Sequence, residues 1–279
     1  MNSLNLILEN LESRVLLSGS VFVDGASLVV DGTAGDDLVE VRQNGSELRV
    51  LVNDFDHGTF QLPAGRIVVS TFDGNDEIRF QAGVTADSNI VAGAGDDIVR
   101  TGAGSDFIFG GTGNDQLFGR SGYDGFFGSA GDDMIWGQAG DDSVDAGTGA
   151  DFVVGGSGND LLNGGDDRDT LLGQGGRDTI LGGDANDFIS GGSGDDFLLD
   201  GEGGHDEING NTGDDVIEGG AGNDNIRGGF GNDILRGETG FDTLRGDPGD
   251  DSLNGGTGTD FATDLGELLH INIEFTPAL

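Results

Sequence analysis

The sequence of 279 residues has no cysteine and no lysine, and only three prolines, three histidines, one tryptophan and one tyrosine. The lack of cysteine excludes disulfides, thiolate zinc sites, iron-sulfur clusters and Cys nucleophiles. Positive charge is nearly missing too: 12 Arg face 52 Asp plus Glu, for a formal charge of −40. A field of that sign repels nucleic-acid phosphates and anionic headgroups, so nucleic acid is not an expected partner. No apolar run approaches the ~18 residues that span a bilayer, so no membrane insertion is expected. The chain contains no G-x-S-x-G and no H-E-x-x-H, and His57, His205 and His270 are scattered. The expectation is that it is not an enzyme.

What is abundant is glycine, 57 residues, and it is periodic. Cut at nine residues, 92–199 gives twelve gapless units, among them GGTGNDQLF and GGSGNDLLN, and 201–263 gives seven more after an insertion placed at Asp200. The sixth position is Asp in all nineteen units, the fourth is Gly in seventeen and the first is Gly in sixteen. The eighth is always apolar, from Val99 through Leu198 to Ala262. Glycines at fixed offsets suit a tight loop, and the remaining three positions suit a very short strand with its middle side chain inward. Two units then make one turn of a flattened coil, and turns stack as parallel strands about 4.8 Å apart.

These units resemble the repeats-in-toxin, or hemolysin-type, calcium-binding nonapeptides G-G-x-G-x-D-x-U-x. The resemblance implies an all-β fold, a right-handed parallel β-roll with two nonapeptides per turn, holding calcium between stacked loops by carbonyls and sixth-position carboxylates. Carried over residue by residue, the metal ligands are Asp97, Asp106, Asp115, Asp124, Asp133, Asp142, Asp151, Asp160, Asp169, Asp178, Asp187, Asp196, Asp206, Asp215, Asp224, Asp233, Asp242, Asp251 and Asp260. An oxygen-only shell of this kind is what calcium prefers. Pairing loops two units apart allows up to about 17 ions. Asp167 and Ala185 replace the fourth-position Gly in two stacked units, so the site between Asp169 and Asp187 is expected to be distorted or the weakest.

Residues 19–91 read as an irregular β-rich cap of the same solenoid. GTAGDDLVE and TFDGNDEIR place Asp37 and Asp76 in register with Asp97 as further metal ligands. Alternating segments such as SELRVLV and GRIVVS read as longer strands, with a hairpin turn at Asn44-Gly45. At the other end, 264–279 carries LLHINIEF, a closing strand that covers the last rung. Residues 1–18 resemble the LEPR-XLL leader of exported bacterial proteins, with Ser13 where that motif has Pro.

Ninth positions carry Phe109, Phe118, Phe127 and Trp136 in early units and Glu218, Arg227, Arg236 and Arg245 in later ones. The aromatics form self-stacking ladders or a protein or surface partner site. The expected function is that of a secreted, extracellular or cell-surface structural protein that folds on binding calcium. The alternative is a calcium-dependent secretion and interaction module for a larger partner. An ice-binding solenoid is a remote third, because the outward third positions Ala94, Thr112, Ala130, Thr148, Asp166 and Asp184 make no continuous Thr ladder.

Overall fold

The computed structural model describes residues 19–61, 65–263 and 270–273, and is all-β. The leader-like segment 1–18 and all of the C-terminal segment except 270–273 of its closing strand lie outside the described residues. The chain falls into two compact units, one ending at Gly128 and the other beginning at Ser129.

In the N-terminal unit, Ile67–Asp73, Ser88–Ala94 and Phe107–Thr112 stack in parallel as one sheet. Leu38–Asn44, Glu77–Phe80, Ile98–Arg100 and Gln116–Ser121 stack as another. Antiparallel strands finish both sheets: Ser20–Asp24 folds onto Ser27–Asp31, while Glu47–Val52 and Phe55–Gln61 extend from Leu38–Asn44. The hairpin turn lies at Gly45-Ser46, one residue later than expected, because Asn44 still pairs with Glu47 and Gly45 takes the left-handed φ of 62°. The cap is distinct from the repeat array in being partly antiparallel.

The C-terminal unit is a parallel β-solenoid. One sheet runs from Met134–Ala139 through Phe152–Ser157, Thr170–Gly175 and Phe188–Ser193 to Asn225–Phe230 and beyond. The other runs from Ser143–Thr148 through Leu161–Asp166 and Thr179–Asp184 to Ser252–Gly258, which pairs with His270–Ile273. Away from the one-residue insertion each residue sits on the equivalent one 18 positions later, as in Val153, Leu171 and Ile189. Eighth-position side chains fill the interior: Val153, Leu162, Leu171, Ile180 and Ile189 are all fully buried.

Two details differ from expectation. Most strands of the array span six residues, from the seventh position of one unit to the third of the next, so only three residues form each loop. The glycine pair is strand because stacked copies of the same backbone pair with each other, as Gly165 does with Gly183. The extra residue of the array is also earlier than Asp200. Thr179 pairs with Leu198 and Ile180 with Leu199, so Leu199, not Leu198, fills the eighth position. Phe197 is extruded, 59% exposed, with Arg177 over its ring at 5.0 Å.

Candidate metal centre

The loops bring the sixth-position aspartates into columns. Each backbone N–H donates to Oδ1 of the aspartate in the next coil: Asp151 to Asp169 and Asp169 to Asp187 at 2.8 Å, Asp142 to Asp160 at 2.8 Å, Asp160 to Asp178 at 2.9 Å. The column on the Asp142 side continues through Asp196, Asp215, Asp233 and Asp251. On the Asp151 side it continues through Asp206, Asp224, Asp242 and Asp260. In the N-terminal unit Asp37, Asp76, Asp97 and Asp115 form one such series, with Asp106 and Asp124 on the other side. The aspartate carbonyl is tied as well, as in Asp142 accepting from Leu161.

One oxygen of each carboxylate is thereby used. The other is buried without a hydrogen-bond partner at Asp97, Asp151, Asp160, Asp169, Asp178, Asp187, Asp196, Asp206, Asp215, Asp224, Asp233 and Asp242. Side chains of these residues are almost wholly hidden, 0–3% exposed. An unmatched buried carboxylate oxygen is costly, and a column of them calls for a cation.

Glycine makes the cradle. A Cβ at Gly155, first in its unit, would lie 2.3 Å from Asp160 Oδ2. One at Gly158, fourth in its unit, would lie 1.8 Å from the Gly140 carbonyl oxygen of the preceding coil, at a φ of 136°. That oxygen points along the stack into the space between loops. Asp167 and Ala185, at the same fourth position, hold strained φ values of 70° and 81°. The hydrogen bond from Asp169 to Asp187 is still 2.8 Å, so the strain sits in the backbone and leaves the ladder intact.

Burial pushes these carboxyls well above the ordinary 3.8. Asp97, Asp187, Asp215 and Asp242 rise to about 6, and Asp151, Asp160, Asp196, Asp206 and Asp233 to about 7. Asp169 goes highest, to about 8, from burial and then repulsion by Asp151, Asp187 and Asp167. The ladder hydrogen bond opposes the rise throughout.

Asp37 differs from the rest. Thr33 N–H donates to its Oδ2 at 2.5 Å and the Asn53 amide to its Oδ1 at 2.5 Å, so both oxygens have protein partners. A second ladder, which the sequence reading missed, flanks the first. Fifth-position side chains accept from the N–H of the fifth residue in the following coil: Asp141 from Asn159, Asn159 from Arg177, Asp195 from Asp214, Asp214 from Asn232. The signal was present, since eleven of nineteen fifth positions are Asp or Asn.

No group of three or more His, Cys, Asp or Glu converges on one point among the described residues. Each cation would therefore be held by few carboxylates and otherwise by carbonyls, the hard oxygen set that suits calcium. The RTX calcium-binding nonapeptide repeat model matches residues 91–126, 127–162, 163–198, 200–235 and 227–262, more than half of the chain. The chain belongs to this family. No curated protein matches it in sequence. The nonapeptide array is thus a calcium-binding RTX β-solenoid. No helix among the described residues is long and apolar enough to cross a membrane.

Proposed function

We propose that this RTX chain is an exported structural module of a cell surface or extracellular matrix, and that it folds on binding calcium. The observation that carries the reading is the column of buried Oδ2 atoms without partners. Sixth-position aspartates from Asp97 to Asp260, with loop carbonyls, would hold up to about 17 ions in the main array, and Asp76 would extend the column into the cap. Asp37, satisfied by Thr33 and Asn53, closes the column and takes no metal. Calcium supplies positive charge between like-charged loops, so binding and folding are one equilibrium. With site affinities near ~0.1 mM and ~1 mM calcium outside, each filled site contributes about 1.4 kcal/mol. In low calcium the repelling carboxylates keep the chain extended, a form suited to export, which the leader-like residues 1–18 also favour.

Phe109 and Phe127 stack at 4.9 Å and 15°, and Phe107 packs on both. This self-stacking supports the structural reading over the alternative, in which the outward aromatics bind a larger polypeptide. Phe109→Ser that loses a partner while keeping calcium-induced folding would favour the alternative. The primary test is far-UV circular dichroism during a calcium titration, with magnesium as control. A cooperative gain of β signal specific to calcium is expected. A chain equally folded in chelator would overturn the proposal.

A further inference from the structure

Two of the later ninth-position arginines, Arg227 and Arg245, lie outside the aspartate columns and line a pocket. On the outer face of one sheet of the C-terminal unit, the ninth-position column runs Asn209, Arg227, Arg245 and the second-position column runs Asn211, Gly229, with Asp247 next in sequence register. Gly229 carries no side chain between Asn211 and Asp247, and a cavity of about 380 Å³ opens there. Phe230 walls it and is 66% exposed.

Asp247 is 2% exposed and holds both arginines: its Oδ1 takes Arg245 Nε at 2.5 Å, and its Oδ2 takes Arg227 Nε. It does so from a left-handed φ of 69°, at a position where its neighbours in the column, such as Gly229, can be glycine. A buried carboxylate in a strained conformation, spent on fixing two guanidinium groups by their Nε atoms, leaves the terminal forks of both for another acceptor. Both arginine side chains remain about half exposed, at 56% and 48%. Two arginines and one aspartate leave one positive charge, and one carboxylate on a ligand completes the balance.

Resting on the calcium binding proposed above, whose ions would offset most of the −40 charge, we propose that this pocket binds an acidic sugar residue of a polysaccharide. A uronate carboxylate matches the guanidinium forks in bidentate geometry. The apolar C–H face of the ring fits the exposed Phe230, and the Asn209 and Asn211 amides can both donate to and accept from hydroxyls. The pocket is within the size range of small-ligand sites. An adhesive contact with acidic polysaccharide follows, on a face separate from the calcium loops.

The test is saturation-transfer difference NMR on the full chain in calcium, comparing methyl glucuronide with methyl glucoside at millimolar concentration. Circular dichroism on each sample establishes that the roll is folded, so a failure of calcium-induced folding is seen separately. Transfer to the glucuronide ring is expected, with at least about tenfold weaker response for the glucoside, equivalent to about 1.4 kcal/mol. Arg227→Gln/Arg245→Gln should erase that preference. Phe230→Ala, a change at an exposed side chain, should weaken glucuronide binding about fivefold with the calcium response unchanged. Equal response from both sugars, glucuronide binding that survives both variants, or equal binding of N-acetylglutamate amide would each overturn the proposal, the last in favour of an acidic peptide.

Discussion

If first-position glycine exists to make room for the sixth-position carboxylate, then Gly155→Ala should act through Asp160 alone. The three nearest atoms to a Cβ at Gly155 are Oδ2, Cγ and Cβ of Asp160, at 2.3, 2.9 and 3.0 Å. Gly155 is not among the residues with positive φ, so alanine is acceptable to its backbone. The methyl group must therefore displace the carboxylate. That withdraws the acceptor of the Asp142 N–H, at 2.8 Å, which costs about 1–3 kcal/mol for a buried donor. It also spoils a calcium site worth about 1.4 kcal/mol. The combined loss of roughly 2–4 kcal/mol corresponds to a fall in Tm of roughly 5–10 °C for a chain of this size. The assay is a double-mutant cycle of Gly155→Ala and Asp160→Ala, melted by circular dichroism in about 1 mM calcium. In the Asp160→Ala background the carboxylate is gone and only the alanine Cβ, 3.0 Å from the added methyl, has to give way, so its cost should fall to about 1 kcal/mol or less. A glycine substitution equally damaging in both backgrounds, or harmless in the native one, refutes the cradle.

The remaining predictions concern the ladder and its loops. The raised carboxyls give the metal-free fold a definite pH dependence: their contribution is fully present below about pH 4 and lost as pH rises through about 6–8, because the folded form binds more protons. In chelator the chain should therefore melt from a folded state at about pH 5, with a Tm that falls until no folded baseline remains near pH 8; a Tm that rises over that window refutes the assignment. Ala185→Gly, relieving a φ of 81°, should stabilise by about 0.5–1 kcal/mol in chemical denaturation, and a loss of stability would show that the loop is not strained. Asp167→Asn removes one of the charges that repel Asp169, so the Asp169 carboxyl should titrate below about 8 by NMR, and an unchanged midpoint would mean that Asp167 does not act on it.

The period of nine carried most of the architecture into view, because parallel stacking forces chemically equivalent residues onto each other and so imprints itself on the sequence. Even the irregular spacings from Asp37 to Asp76 and Asp97 led to residues that join one ladder. Strand length was hidden, since two adjacent glycines read as loop by propensity, whereas here the pairing of identical backbones decides. The true place of the extra residue was hidden as well. Phe197, Leu198 and Leu199 are all apolar, and only the pairing of Ile180 with Leu199 shows which one enters the core. Asp37 carries the same local signature as the other aspartates. Its donors come from Thr33 and from Asn53 in a separate strand-turn segment, a long-range contact that no nonapeptide pattern encodes.

The cost of the ladder explains why the fold and the cation belong together. Raising Asp160 from 3.8 to about 7 amounts to roughly 4 kcal/mol of penalty for the ionised form, and about 2 kcal/mol even when halved for solvent screening. Six carboxyls raised to about 7 or 8 and six more raised to about 6 together exceed the ~5–15 kcal/mol by which domains are ordinarily stable. Protein cations offset little of it: among the described residues Arg168 eases only Asp187 and His205 only Asp224, while the ion pairs of Arg42, Arg49, Arg79, Arg100, Arg227, Arg236 and Arg245 go to Glu40, Asp56, Glu77, Asp247 and Glu218, outside the columns. Each column then has two ways to stay folded, by taking protons at acid pH or a hard cation near neutrality. A dilute divalent ion that prefers carboxylate and carbonyl oxygens meets the second condition, and on the function proposed above its concentration, low inside a cell and high outside, would decide where the roll forms.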